Sequence, residues 1–399
     1  MIVNMRVICG MVIISIGLGG QPAWGLTKAK AVGLDLRRQL VRIQRLEHGV
    51  LSFFDETRQL RVEPVQKFAQ LLIESRGTDP LPKGPEVCAA VLNDGQWVVG
   101  RWVGVHDDGE VLYLQHPALG RVAVNLEDVS RFWPNRSVDD DFMAEGPFER
   151  IVSDRVVLLN GDVLEGFVTA IESHHVKVES TAQDGVLEIA LDRTQLIRLA
   201  SVLESPRPDM DVVYLADGSR WHVADLLIGS DRIFITPALC ESGEAVGIEL
   251  SRVLRIDLAR RGVRLVDLTS LSRKVVAGGS AFGISVPPRV QGADLWMHAP
   301  LQIEFDLPLG ADRFAAELAL EMVDGKNSGD RAWADVIVNL VVDGKNVGRF
   351  HLDGESTNVH INVPITGRVM TVELDEAANG PVLDRVLLRD AILLVKDAR

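Results

Sequence analysis

The stretch VLNDGQWVVGRWVGVHDDGEVLYL (residues 91–114) decides the fold. Apolar runs of strand length are separated by Asn-Asp-Gly and Asp-Asp-Gly. Such turns between apolar runs signal hairpins, because tight reversals want positive φ. RVAVNLEDVSRFW (121–133) follows with an alternating strand and a short apolar close. The same grammar returns in VLLNGDVLEGFVTAIESHHVKVES with VLEIALDRTQLIRLA (157–200), and in VVYLADGSRWHVADLLIGSDRIFIT with VGIELSRVLRIDLA (212–259). Each copy has a turn ending in glycine, at Gly95, Gly161 and Gly218. From that glycine to the closing apolar residue, Val129, Leu196 or Val253, the spacing is 34, 35 and 35. A second glycine stands five places on in two copies, Gly100 and Gly166; the third has Val223 there.

Strands this short cannot bury one face alone, so each copy is expected to curl into a small barrel or stack on its neighbours. In pattern the copies resemble Sm-like small β-barrels. Upstream, QLVRIQRLEHGVLSFFDETRQLRVEPVQKFAQLLI (39–73) runs through a similar order without the turn glycine. It competes with a helix over 34–74, but VLSFF (50–54) and LRVEPV (60–65) are β-like, and strands are expected.

The N-terminus MIVNMR carries one base and no acid, then VICGMVIISIGLGG and QPAWG. This is the layout of a secretory signal peptide, cleaved near Gly25-Leu26 after Ala23-Trp24-Gly25. The apolar core is short for a membrane span, which needs ~20 apolar residues, and no other stretch is apolar enough. The expected location is secreted, periplasmic or cell-envelope. Cys9 lies in the signal; Cys88 and Cys240 lie far apart in different copies and are expected to be unpaired thiols.

The net charge of −14 argues against nucleic acid or an anionic membrane surface as partner. The 47% apolar content suffices for real cores. Boundaries fall in the Pro-, Gly- or acid-rich stretches 77–86, 135–148 and 204–209. The expected layout is a signal peptide over 1–25, a degenerate β repeat over 26–76, barrel-like repeats over 87–134, 151–200 and 210–260, and a C-terminal domain over 264–399. That last domain has about eight longer, cleaner strands, which suggests a β-sandwich of jelly-roll type. The fold class is all-β.

Within it, RLVDLTSL (264–271), GGSAFGI (278–284), LQIEFDLPLGADRFAAELAL (301–320), DVIVNLVVDGKNVG (335–348) and GPVLDRVLLRDAILL (380–394) occur in order. This set resembles the NPCBM family of carbohydrate-binding modules, over one third of the chain. The resemblance implies a galactose-binding-like jelly roll and a glycan ligand. The family usually places an aromatic shortly after Asp-Arg-Val; Leu387-Leu388 stand there in this chain, so no stacking ring is implied at that spot.

Catalytic signatures are weak. Gly278-Gly279-Ser280-Ala281-Phe282-Gly283 misses the nucleophile elbow by one place. His174-His175 on a strand point to opposite faces and cannot share one ion. Asp139-Asp140-Asp141 reads as a solvated linker. VDGKNSG (323–329) and VDGKNVG (342–348) read as hairpin turns. No metal or cofactor is expected. Asp384 and Asp390 could serve as a hydrolytic acid pair, but Asp384-Arg385 and Arg389-Asp390 read better as strand-end caps paired with neighbours. The candidate ligand-binding residues are Trp296, Trp333, Asp384 and Arg385. Trp97 and Trp221 sit beside hairpin turns and read as packing residues.

The expected function is an exported, non-catalytic, multi-module protein that binds glycan or cell-envelope material through its C-terminal domain. The alternatives are a structural scaffold that binds proteins and no sugar, and a hydrolase accessory protein.

Overall fold

The computed structural model describes residues 26–74, 87–106, 109–135, 151–180, 185–200, 210–238, 244–259, 262–281, 284–291, 294–321, 334–377 and 384–396. The signal segment, Trp333, Cys240, Asp139–Asp141 and the first VDGKN copy lie outside them. Among the described residues no helix is long and apolar enough to cross a membrane.

Four five-stranded units follow one another. The first contains β1 (Thr27–Gly33), β2 (Arg38–Glu47), β3 (Val50–Phe54), β4 (Leu60–Pro64) and β5 (Phe68–Ile73). The second contains β6 (Val87–Leu92), β7 (Trp97–His106), β8 (Val111–His116), β9 (Gly120–Asn125) and β10 (Val129–Trp133). The third contains β11 (Asp154–Leu158), β12 (Val163–Ile171), β13 (His175–Ser180), β14 (Val186–Ala190) and β15 (Thr194–Arg198). The fourth contains β16 (Asp211–Leu215), β17 (Arg220–Ile228), β18 (Arg232–Pro237), β19 (Val246–Glu249) and β20 (Val253–Asp257). In each, the strands form an antiparallel meander and the first strand also pairs with the last. A single 3-10 turn joins the fourth strand to the fifth, at 65–67, 126–128, 191–193 and 250–252. The tandem barrel-like pattern therefore holds, and 34–74 is strand as expected.

Two details depart from the sequence reading. In the second to fourth units the turn leaves three residues in the loop, and only its glycine has positive φ: 85° at Gly95, 88° at Gly161 and 89° at Gly218. Leu92, Leu158 and Leu215 close the loops through both backbone groups. This is a type I turn followed by a left-handed residue, not a two-residue turn with two positive φ values. Second, the last strand opens at Thr194 in the third unit, so Thr194 and not Leu196 corresponds to Val129 and Val253.

The long second strand of every unit carries a bulge against the third, after Ile43, Trp102, Val168 and Val223. A bulge bends a strand and raises its twist, which lets so short a meander curl over its own core. Gly166 lies at this bend, where a Cβ would meet the Glu179 carbonyl at 2.3 Å.

The units are not beads. The fourth residues of the last strands face each other across two junctions: Leu71 with Ile256, and Phe132 with Ile197. Each junction is thus locally two-fold. The first unit pairs with the fourth and the second with the third. The second and fourth then meet at Trp97 opposite Arg220, each the second residue after its turn glycine. Here too the bonds are reciprocal. The Val99 N–H donates to Ser219 Oγ at 3.2 Å, and the His222 N–H to Gln96 Oε1 at 2.9 Å. His116 Nδ1 accepts the Ala118 and Leu119 N–H groups, so its proton sits on Nε2, 3.0 Å from Asp217 Oδ2. His222 Nδ1 stands 3.3 Å from Asp94 Oδ2. Burial opposes ionisation of Asp94 and Asp217, but the facing imidazoles of His222 and His116 hold both carboxyls below their ordinary value. One apolar core runs through all four units. Cys88, fully buried in it, is a free thiol whose pKa burial pushes up to about 12.

The C-terminal region holds β21 (Val263–Asp267), β22 (Arg273–Gly278), β23 (Ser280–Ala281), β24 (Ile284–Ser285), β25 (Arg289–Gln291), β26 (Asp294–His298), β27 (Leu301–Asp306), β28 (Ala311–Leu320), β29 (Asp335–Val342), β30 (Lys345–Asp353), β31 (Asn358–Pro364), β32 (Val369–Asp375) and β33 (Arg385–Lys396). They form a six-stranded sheet (β25-β26-β33-β28-β31, with β21 also on β33), a five-stranded sheet (β22-β27-β32-β29-β30) and a two-stranded ribbon. This is the expected sandwich, with more than the eight strands anticipated, because short strands in 273–291 lack a clean alternation. The two large sheets enclose a core that includes Phe305, Phe314, Val338, Leu340, Val372 and Leu393. Asp343 (φ 45°) and Gly344 (φ 78°) make the expected β29–β30 hairpin.

β33 corrects the reading of the chain's end. Asp384-Arg385 and Arg389-Asp390 both read as strand-end caps; the first pair does stand at the start of β33, but the second does not end a strand. Instead β33 is one central strand, with β26 and β21 on one side and β28 on the other. Arg389-Asp390 sit in its middle, at a bulge where Asp390 has φ 45°. AILLV is continuously apolar because both faces are covered. Leu393 and Val395 enter the sandwich core, while Ile392 and Leu394 pack on Val32 and Leu36 of the first unit. Arg38 of that unit reaches Asp390 Oδ2 at 3.4 Å and the Asp390 carbonyl at 3.1 Å.

Candidate ligand-binding face

β26 alternates. Leu295 and Met297 are buried in the core, so Asp294, Trp296 and His298 point to the outer face of the six-stranded sheet, where each is partly exposed. Cross-strand register then builds a row through five strands: Arg289, Trp296, Leu387, Ala319 and Asn358. Directly opposed residues share a face and touch. The indole thus stands at the head of a low apolar floor, with Leu387 and Ala319 nearly sealed. Its Nε1–H is buried and has no hydrogen-bond partner among the described residues.

Polar rows flank that floor. On one side His298 faces Arg385, whose guanidinium is 3.5 Å from Glu321. On the other, Arg389 faces Glu317, which is also 4.0 Å from His360. The face offers an aromatic surface for sugar C–H groups and guanidinium, imidazole and amide donors for hydroxyls.

The sequence candidates separate here. Trp296 and Arg385 lie on this face in adjacent rows. Trp333 falls outside the described residues. Asp384, 0% exposed, is enclosed at the start of β33. Its Oδ1 accepts the Asp335 N–H at 3.1 Å, its backbone carbonyl accepts the Ala299 N–H, and Oδ2 has no partner among the described residues. Burial pushes its pKa up to about 7, and the neighbouring Asp335 and Glu376 add repulsion. Asp390 serves the domain junction, so the two acids weighed as a catalytic pair have separate structural tasks. His174 and His175 are exposed, Trp221 is fully buried, and Trp97 stacks on Trp133.

Arg289, His298 and Asn358 were not anticipated. The alternation of DLWMH (294–298) carried the signal for His298. Arg289 and Asn358 join the row only through strand register, which no local pattern records.

No family model, NPCBM included, and no curated protein matches the chain. Solved structures similar to it include the CBM51 from Clostridium perfringens GH95 in complex with methyl-galactose (18% identity, TM-score 0.25, 33% of this chain and 99% of that one). Another is the CBM51-2 and INT domains of Clostridium perfringens ZmpB (13%, TM-score 0.27, 42% and 39%). A third is the tandem CBM51 modules of a family 98 glycoside hydrolase from Streptococcus pneumoniae (11%, TM-score 0.23, 88% and 89%). These identities and TM-scores leave the function to be argued from the chain's own residues.

Proposed function

We propose that this is an exported, non-catalytic multi-module protein that binds glycan or cell-envelope material on its C-terminal, NPCBM-like domain. The observation that carries the reading is the row through Trp296. A partly exposed indole stands beside the nearly sealed Leu387 and Ala319, between polar rows headed by His298–Arg385 and Asp294. Trp296 and Arg385 contact the ligand in this reading. Asp384 supports the strand start beneath them. Trp333 is retained as a further contact on sequence grounds alone.

Glycan profiling of the mature chain tests it. The wild type is expected to retain a defined glycan class. Trp296→Ala should lose ~10-fold or more in affinity, in line with a lost stacking contact of about 1–3 kcal/mol, while Trp296→Phe keeps most of it. Equal retention by wild type and Trp296→Ala would remove this face from consideration.

A second reading, a rigid protein-binding scaffold, is favoured by the fusion of four units into one twenty-stranded sheet. In that case no glycan is retained and immobilised chain captures envelope proteins independently of Trp296.

A further inference from the structure

Each unit has a corner where the turn after its first strand leads into its second. In the second and fourth units the opening residues of the second strand pair with the first strand, and the third strand begins only opposite Arg101 and Val223. The edge so left is taken by the other unit, with Trp97 opposite Arg220. Each corner also supplies a side-chain acceptor one residue after its turn glycine, Gln96 or Ser219, which receives a backbone N–H from the opposite unit. Both acceptors are 1% exposed.

The first unit uses its corner differently. Leu36, at φ 56°, stands in the place of the turn glycine, and Gly33 and Arg37 close the loop as Leu92 and Gln96 do. The next residue, Arg37, has donors and no acceptor. This corner is seated on the sandwich, with Leu36 against Ile392 and Leu394 and Arg38 on Asp390. The third unit has the same corner, and there it is open. Residues 163–165 pair with β11, and β13 begins only opposite Gly166. Asp162 follows Gly161 and supplies the acceptor, as Gln96 and Ser219 do, but it is exposed. Val163 stands where Trp97 and Arg220 stand, yet it is 51% exposed, and Leu159 at the turn is 62% exposed. An exposed strand edge with an apolar residue at its centre is a template for another strand.

We infer that this corner joins two copies of the chain across a two-fold axis, Val163 opposite Val163, in the manner of Trp97 and Arg220. The internal pairing identifies the occupant. The corner carries both parts that the second and fourth units exchange, a strand edge and an acceptor, so it is complementary to itself. The charge of Glu165 is met within its own chain by Arg155, whose Nε is 2.9 Å away. The charge of Asp162 opposes association, because two carboxylates come to one junction in chains of net charge −14 each. A corner of this size makes a weak dimer, and salt strengthens it. The surface lies on the repeats and is independent of the Trp296 face.

Sedimentation of the whole mature chain over a concentration series, at low and high salt, tests this. The mass is expected to rise from one chain toward two with concentration, and further with salt, which screens Asp162. Val163→Lys sets two like charges against each other at the axis. It should weaken association at least about tenfold and leave Tm unchanged, since the position is exposed. Asp162→Asn keeps the acceptor and removes the charge, so it should strengthen association at low salt and flatten the salt dependence. Val163→Cys should give a disulfide-linked dimer under mild oxidation, because directly opposed residues lie within disulfide reach. Leu309→Cys, at an 85% exposed position of the sandwich, should not. Trp296→Ala should associate as the wild type does. The inference is overturned if the chain stays single throughout, if Val163→Lys associates like the wild type, or if Leu309→Cys crosslinks as readily as Val163→Cys. Capture of an envelope protein through Val163 by a chain that stays single would overturn it as well.

Discussion

Asp384 is the residue whose environment departs furthest from its sequence appearance. In VLDRVLL it reads as a strand-end cap paired with neighbours, and it does stand at the start of β33, but it is 0% exposed with one carboxylate oxygen unpaired among the described residues. Its pKa, ordinarily 3.8, is pushed up to about 7 by burial, which disfavours the charged form. A carboxyl raised in the folded state favours folding below its unfolded value, and that contribution is lost as pH rises through the folded value. The contribution of Asp384 is therefore expected to be fully present near pH 4 and to be lost up to pH 7, by at most about 1.4 kcal/mol per unit. Asp384→Asn mimics the protonated acid. Its thermal unfolding curve should be flatter across that window, with a higher Tm than wild type above pH 7; an unchanged slope would contradict the burial argument. Trp296 was easier to read, because DLWMH alternates and so declares which residues face outward. Burial of Asp384 was not legible, because it depends on Asp335 and Ala299, both distant in sequence.

At the scale of elements, hairpins were legible because turn chemistry is local. Gly95, Gly161 and Gly218 are needed for their left-handed φ, but a Cβ at Gly95 or Gly161 would meet nothing within 4 Å. Gly166 has the opposite problem: its backbone crosses β13 so closely that a Cβ would stand 2.3 Å from the Glu179 carbonyl oxygen. The two kinds of glycine should respond differently. Gly161→Ala is expected to cost about 1 kcal/mol, the strain of a left-handed non-glycine residue. Gly166→Ala should cost more, roughly 2–3 kcal/mol, because backbone must move. Denaturant midpoints of the two variants compare them directly, and a smaller loss at Gly166 would mean that the bulged strand yields freely. What turn chemistry could not convey was which strands are covered twice. VCAAVL (β6) and AILLV (in β33) held that information as runs without alternation. Read in isolation, such runs do not say what covers their second face.

The whole molecule is two locally two-fold pairs of units, joined through the second and fourth, with the sandwich seated on the first. None of these junctions was legible, since each is an agreement between strand edges or faces far apart in the chain, 65 residues between Phe132 and Ile197 and 352 between Arg38 and Asp390. The seat combines an apolar contact, Val32 and Leu36 against Ile392 and Leu394, with charge. Arg38 holds Asp390, and Lys30 stands 3.7 Å from Glu317. Asp294, whose Oδ1 lies 3.4 Å from the Asp390 N–H, adds a titrating carboxyl. Burial pushes its pKa up to about 6, Asp390 and Glu317 raise it further by repulsion, and Arg389 opposes them. Its contribution favours the folded, seated state at low pH and is lost as pH rises through 6. Removing Arg38 takes the first unit's guanidinium away from Asp390 and leaves Glu317 with Lys30 and Arg389. Arg38→Ala should therefore cost about 1–3 kcal/mol, the range for hydrogen bonds to charged groups. That loss falls between the domains and not within either. In calorimetry the wild type is expected to unfold the sandwich together with the first unit, and Arg38→Ala to separate two transitions. The separation should narrow near pH 5, where Asp294 is protonated, and widen near pH 7.5. Asp294→Asn should abolish that pH dependence while leaving the one due to Asp384. If Arg38→Ala unfolds in a single transition shifted as a whole, the charged contacts do not hold the seat, and the apolar patch alone does.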